Sequence, residues 1–244
     1  SLMSRGLTLQ DARDYNIIGC VEPQKSGKTE GWHDAAFFNM CRPLELVFSN
    51  GMDKGVRIGP ATGNVEDMTT FEQFYDAYKK QMDYAIQLLV NADNAIDMAH
   101  AERCPLPFLS SMVDDCMKVG KTVQEGGAVY NFTGPQGFGV ANMADSLYSV
   151  KTLVYDEKKI TMGELKEALA TNYGKGLGAE DVAAMTAKIA NELKEAGKTI
   201  GEKEVAAILN TVVAASEAPE VKANGERILK LIEEVPKFGN DIPE

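Results

Sequence analysis

Positive charge, paired cysteines and long apolar runs are all scarce in this chain. Acidic residues outnumber basic ones by 36 to 25, for a formal net charge of −11. An acidic surface of that kind argues against nucleic acid and anionic membrane as main partners. No apolar run reaches the roughly 20 residues needed to span a bilayer. Ser1–Gln10 lacks the charged start and apolar stretch of a secretory leader, so a cytoplasmic protein is expected. The four cysteines, Cys20, Cys41, Cys104 and Cys116, form no C-x-x-C pair. That leaves a zinc knuckle or thioredoxin-type site unsupported and makes reduced thiols the expectation. Internal repeats and low-complexity tracts are missing too.

Two apparent nucleotide motifs fail on inspection. Gly27-Lys28-Thr29 imitates the end of a P-loop, but the position that needs the leading glycine holds Glu22, an anion where phosphate should sit. Gly137-x-Gly139 imitates a dinucleotide fingerprint, but Asn142 replaces the third glycine.

What remains is an ordinary globular composition, 44% hydrophobic and 25% charged over 244 residues, enough for a sizeable core. The pattern predicts a mainly α chain with few strands. Thr8 caps a short helix, with Asp11 at capping-box spacing. Tyr15–Cys20 reads as a short buried strand, and residues 21–31 as loop. Asp34–Asn50 reads as a helix with Phe37, Phe38, Cys41, Leu44 and Val47 inward, kinked or restarted at Pro43. A glycine-rich connection follows, then a long helix capped by Thr69 or Thr70 that ends before Pro105. Leu106–Val119 reads as a short helix and Ala128–Thr133 as a strand. Further helices are expected from about Ala141 to Tyr155 and from Thr161 to Tyr173, the latter with Glu164 completing a capping box. Two Lys- and Glu-rich helical patterns then run to Ala223, and a last helix spans about Pro219–Glu234.

The stretch that carries chemistry is Gly19-Cys20-Val21-Glu22-Pro23-Gln24. In extended chain, residues two apart face the same side, so Cys20 and Glu22 are expected to face one cavity. A carboxylate raises the pKa of a neighbouring thiol and so opposes thiolate catalysis. The pair makes better sense with an uncharged sulfur, as a thiyl radical that takes a hydrogen atom from carbon while the carboxylate takes a proton. A structural cysteine beside a solvated glutamate is the other reading of the spacing.

Several blocks in order bear a family likeness. Gly19–Gln24 resembles the active-site cysteine loop of glycyl radical enzymes. The likeness continues in Lys28–Phe38, in Asp93-Asn94, in Ala99–Arg103 with Pro105–Phe108, in Tyr130–Gly137 and in Pro236–Asp241. The resemblance implies the central part of a ten-stranded α/β barrel of the glycyl radical enzyme type. It places partial catalytic domain at 1–173 and 226–244 and a helical insertion at 174–225, expected at the periphery. Pyruvate formate-lyase has adjacent cysteines, whereas here Gly19 precedes Cys20 and Glu22 follows it, so the chain is similar to an eliminase.

His33-Asp34 looks like the B12-independent glycerol and propane-1,2-diol dehydratases, in which an aspartate of this stretch contacts substrate hydroxyls. A helix N-cap is the plainer role for Asp34, and both roles are compatible. The resemblance thus implies Cys20 and Glu22 as catalytic, His33 and Asp34 as substrate-binding, and no bound metal. It also implies a radical stored on a glycine outside this chain, since no Arg-Val-x-Gly-Tyr loop occurs here. An S-adenosylmethionine iron–sulfur activating enzyme would install that radical, and the complete protein would be an anaerobic homodimer. Choline, hydroxyproline or sulfonate lyases, a formate acetyltransferase-like lyase and a non-catalytic helical fragment are the alternatives. His100, Cys41, Cys104 and Cys116 are expected to be structural, and Tyr130–Gly137 a barrel-lining turn.

Overall fold

The structure, a computed structural model, describes residues 1–175 and 218–237 together with a few positions between 203 and 214. Most of the expected 174–225 insertion, and the family-like residues 238–241, lie outside the described residues. Cα proximity divides the chain into two compact units. One holds Ser1–Leu46, Met52–Pro60 and Tyr78–Val140; the other holds Val47–Gly51, Ala61–Ala77 and the chain from Ala141 on.

Helix dominates. Helix α1 (Leu9–Arg13) starts as its cap predicts, with the Asp11 N–H donating to the Thr8 hydroxyl at 3.1 Å. Helix α2 (Arg42–Phe48) is shorter than expected. Pro43 sits in its first turn, where a missing N–H costs nothing, so the proline starts this helix rather than kinking a longer one. The residues before it form a strand instead. Helix α3 (Phe71–Arg103) is the long helix, and Gln73 Oε1 accepts from the N–H groups of Thr69 (2.7 Å) and Thr70 (3.3 Å) at its start. The expected Leu106–Val119 helix is two single turns, α4 (Pro107–Ser110) and α5 (Cys116–Val119). Helix α6 (Val140–Val150) runs on into a π-helical turn at Lys151–Asp156. Helix α7 (Met162–Ala170) has the Thr161/Glu164 capping box, and α8 (Pro219–Glu234) ends before Pro236. No described helix is long and apolar enough to cross a membrane.

The strands among the described residues are short, and these lie in the first unit. Strands β1 (Asn16–Ile18) and β2 (Glu22–Gln24) form an antiparallel hairpin, with Ile18 opposite Glu22. Strand β3 (Thr29–Trp32) pairs with β7 (Tyr130–Thr133), and β4 (Phe37–Asn39) pairs with β8 (Gln136–Phe138), both in parallel. Strands β5 (Met52–Asp53) and β6 (Val56–Arg57) form a tight hairpin whose turn residues Lys54 and Gly55 both have positive φ. Two expectations therefore change. Residues 21–31 are not all loop, and Phe37–Asn39 is not helix. Segments this short carry no usable period. Strand β2 is held by β1 beside it, whereas β3 and β4 take their conformation from partners about a hundred residues away, as in the Gln136 N–H bond to the Ala36 carbonyl at 2.7 Å.

In the first unit the buried residues include Leu7, Leu44, Tyr78 and a small cluster of Cys116, Val123 and Ala128. In the second, Phe74, Val65, Leu153, Leu165 and Ile228 are buried, and Phe74 meets Phe48 edge-on at 5.5 Å.

Candidate functional site

The β1–β2 hairpin closes through three residues, Gly19-Cys20-Val21. Gly19 supplies the left-handed φ of 56° that the reversal needs. Cys20 therefore sits in the turn and is exposed, not at the end of a buried strand. Ile17 and Ile18 are each about half exposed, and Val21 is exposed. The apolar run around Cys20 predicts burial, but β1 and β2 form a two-stranded sheet, and among the described residues no second sheet covers it.

Glu22 is buried, and its carboxylate folds back over the turn. Its Oε2 accepts the N–H of Val21 at 3.0 Å. A Cβ on Gly19 would come to 2.7 Å of that same oxygen. The backbone N–H groups of Val21 and Glu22 pull its pKa below the ordinary carboxylate value, the Cys20 N–H and His33 adding to the effect while burial opposes it. Glu22 is thus an anion at neutral pH, two residues along the chain from Cys20. Cys20 lies in the turn and Glu22 opens the strand after it, so the extended alternation expected between them does not apply.

His33 and Asp34 lie in the turn between β3 and β4, so Asp34 caps no helix. The His33 ring folds over Gly31, where a Cβ would meet Nε2 at 2.0 Å, and stands 6.2 Å from the Phe132 ring. His33 Nε2 is buried and has no hydrogen-bond partner among the described residues. Asp34 is exposed and accepts a hydrogen bond from the Gln136 side-chain amide. The same Gln136 Nε2 donates to Glu22 Oε1 at 3.0 Å. Gln136 opens β8 opposite Phe37, and the β4–β8 ladder brings it to the Asp34 turn. The sequence assigned it no role beyond a barrel-lining turn. The only signal available was its place in the Tyr130–Gly137 block, since its partners lie more than a hundred residues away.

Glu30 and Trp32 on β3 contribute to a separate cavity of about 320 Å³, with Asp97, His100, Cys104 and Phe132 among its other walls. His100 meets Trp32 edge-on at 5.3 Å, in keeping with a packing role. Burial pushes the Glu30 carboxyl up, and Asp97 adds to it. Among the described residues no three His, Cys, Asp or Glu side chains are grouped to hold a metal. Cys116 is buried, and Cys104 is exposed.

The model of the pyruvate formate lyase-like family matches residues 1–244. A solved structure described as 1,2-propanediol dehydration in Roseburia inulinivorans is 58% identical, with a TM-score of 0.90 over 99% of this chain and 29% of that one. The glycerol-bound form of the B12-independent glycerol dehydratase from Clostridium butyricum is 59% identical, with a TM-score of 0.70 over 76% of this chain and 23% of that one. The (2S)-3-sulfopropanediol dehydratase of Klebsiella oxytoca is 40% identical over 174 residues, 70% of this chain and 21% of that protein. The chain spans less than a third of the length of each of these relatives.

Proposed function

The chain belongs to the pyruvate formate lyase-like family, and from that premise we propose that it carries the cysteine loop of a glycyl radical dehydratase acting on a vicinal diol. Glycerol and propane-1,2-diol are the substrates proposed. One observation carries the reading: a carboxylate held ionised by the N–H groups of the turn that carries the exposed Cys20, and joined through one amide to a second carboxylate that can take diol hydroxyls. The relatives named for propanediol, glycerol and sulfopropanediol support it.

In the proposed mechanism Cys20 gives its sulfhydryl hydrogen atom to a radical stored on a glycine outside these 244 residues. An exposed thiol at a hairpin tip fits that exchange. The Cys20 thiyl then takes a hydrogen atom from the carbinol carbon of the diol. Glu22 accepts the proton of that carbon's hydroxyl as general base. The neighbouring C–O bond breaks, and its oxygen leaves with one proton as water, matching the proton Glu22 accepted. Cys20 returns its hydrogen atom to carbon, leaving aldehyde and water. Asp34 accepts hydrogen bonds from the diol hydroxyls, and His33 lies beside it on the same turn. The chain would form part of a ten-stranded barrel in a cytoplasmic, anaerobic homodimer served by an S-adenosylmethionine iron–sulfur activase. Residues 174–225 would be a helical insertion in it.

The complete protein, activated without oxygen and given propane-1,2-diol, tests this by aldehyde release. Cys20→Ala is expected to keep the glycyl radical signal in electron spin resonance and to lose all turnover. Asp34→Ala is expected to keep the radical and a residual activity that rises with diol concentration. Two charge-assisted hydrogen bonds of about 1.5–3 kcal/mol each, partly lost, amount to roughly 10²-fold. Turnover of hydroxyproline, choline or a sulfonate in place of diols would overturn the substrate assignment and leave the Cys20 chemistry standing.

A further inference from the structure

We propose that Gln136 is a positioning residue, whose side-chain amide sets the Glu22 base and the Asp34 substrate anchor at a fixed spacing. The inference rests on the functional reading above and adds a residue to it. Two carboxylates brought together repel, and each then favours its protonated form. A lysine between them would quench the repulsion but neutralise the base. A primary amide offers two N–H donors in one plane and no charge. Gln136 Nε2 faces Glu22 Oε1 at 3.0 Å and also bonds Asp34 Oδ1. Only the nitrogen can stand there, because Oε1 in its place would set three acceptors against one another.

The backbone around Gln136 is fixed independently of its side chain. Its N–H bonds the Ala36 carbonyl at 2.7 Å, and β8 runs in register with β4. Glu22 meets the amide with one oxygen while the other stays on the Val21 N–H of the Cys20 turn. Gln136 therefore links the turn that carries the thiol to the turn that carries Asp34. The groups that bear on the Glu22 charge are the backbone N–H groups of Val21, Glu22 and Cys20 in its own hairpin, and His33 from the β3–β4 turn, with Asp34 sharing the Gln136 amide.

The test compares the complete activated protein with Gln136→Met, which keeps the length and loses both donors, and with Gln136→Glu, which keeps the shape and adds a third carboxylate. In Gln136→Met the acid limb of kcat/KM is expected to move up by about one pH unit, as the loss of one charge-assisted hydrogen bond to Glu22 implies. kcat should fall about tenfold and KM for the diol should rise, with the radical yield unchanged. Gln136→Glu is expected to fall at least as far, whereas a role in packing alone would make this isosteric change the milder of the two. Unshifted acid limbs, or a near-normal Gln136→Glu, would overturn the proposal. If the unaltered protein turns over no diol, the functional reading fails, and Gln136 is judged on the infrared carboxyl titration of Glu22, its band identified by loss in Glu22→Gln. A titration raised in Gln136→Met upholds the positioning role, and an unmoved one refutes it.

Discussion

Gly19 holds a φ of 56° and has no room for a methyl group, because the Glu22 carboxylate stands 2.7 Å from where its Cβ would be. Gly19→Ala is expected to cost about 1–2 kcal/mol in backbone strain and, separately, to push the carboxylate off the Val21 N–H. Activity of the complete protein should drop tenfold or more, although no reacting atom has changed; steady-state kinetics beside a thermal melt separate the two effects. Glu22 and Glu30 make the same point about environment. Both are largely withdrawn from water, but backbone N–H groups bring Glu22 down, while burial beside Asp97 sends Glu30 up. The sequence singled out Cys20 and Glu22 by their spacing. It misled about the backbone between them, because alternation assumes extended chain and Gly19 reverses it. Gln136 stayed unread because an amide in a glycine-rich stretch carries no charge signal, and its two partners are reached only through tertiary pairing.

At the scale of elements, side-chain caps proved the most legible feature: Thr8 before α1, and Thr161 with Glu164 before α7. They act within four residues, so the local sequence states them completely. The parallel pairs β3–β7 and β4–β8 were not legible, since three or four residues show no period and parallel partners lie far along the chain. Helix α1 is tied to this part of the fold by charge. Buried Asp11 accepts the Tyr130 hydroxyl at 2.7 Å and the Lys28 ammonium at 3.0 Å, and the two together lower its pKa from 3.8 to about 2. A carboxyl depressed on folding stabilises fully above its unfolded pKa and loses that contribution as pH falls toward the folded one. The stability gap between the unaltered protein and Asp11→Asn should therefore be full above about pH 4 and shrink toward pH 2, as denaturant midpoints measured across that range would register. Close backbone approach gives a second prediction. Gly225 on α8 faces the Tyr173 carbonyl carbon, 2.3 Å from where a Cβ would be. Gly225→Ala should lower stability by about 1–3 kcal/mol in denaturant titrations, against the usual gain of alanine over glycine in a helix.

At the scale of the whole molecule, the described chain leaves many large apolar side chains in solvent, among them Phe108, Met117, Val21, Phe37 and Met98. Monomeric proteins rarely leave extensive apolar surface uncovered without a partner for it. The chain also spans less than a third of the length of its relatives, and it contains no Arg-Val-x-Gly-Tyr loop to store a radical. Both facts bear on how these 244 residues behave alone. In the mechanism proposed, a chain without the radical glycine gives Cys20 no source for a thiyl, whatever the state of Glu22 and Asp34. The 244-residue chain, purified and incubated with activase, S-adenosylmethionine and diol in the absence of oxygen, is expected to release no aldehyde and to give no glycyl radical signal. It should also bind a hydrophobic dye such as anilinonaphthalene sulfonate more strongly, per chain, than the complete protein does, because surfaces such as Phe37 and Phe108 then face water. The net charge of −11 opposes self-association at low salt, so aggregation should grow with ionic strength as screening removes that repulsion. Light scattering across a salt series follows it. Aldehyde release by the isolated chain would overturn the assignment of the radical to a glycine outside it, and dye binding equal to that of the complete protein would show that these apolar faces need no further cover.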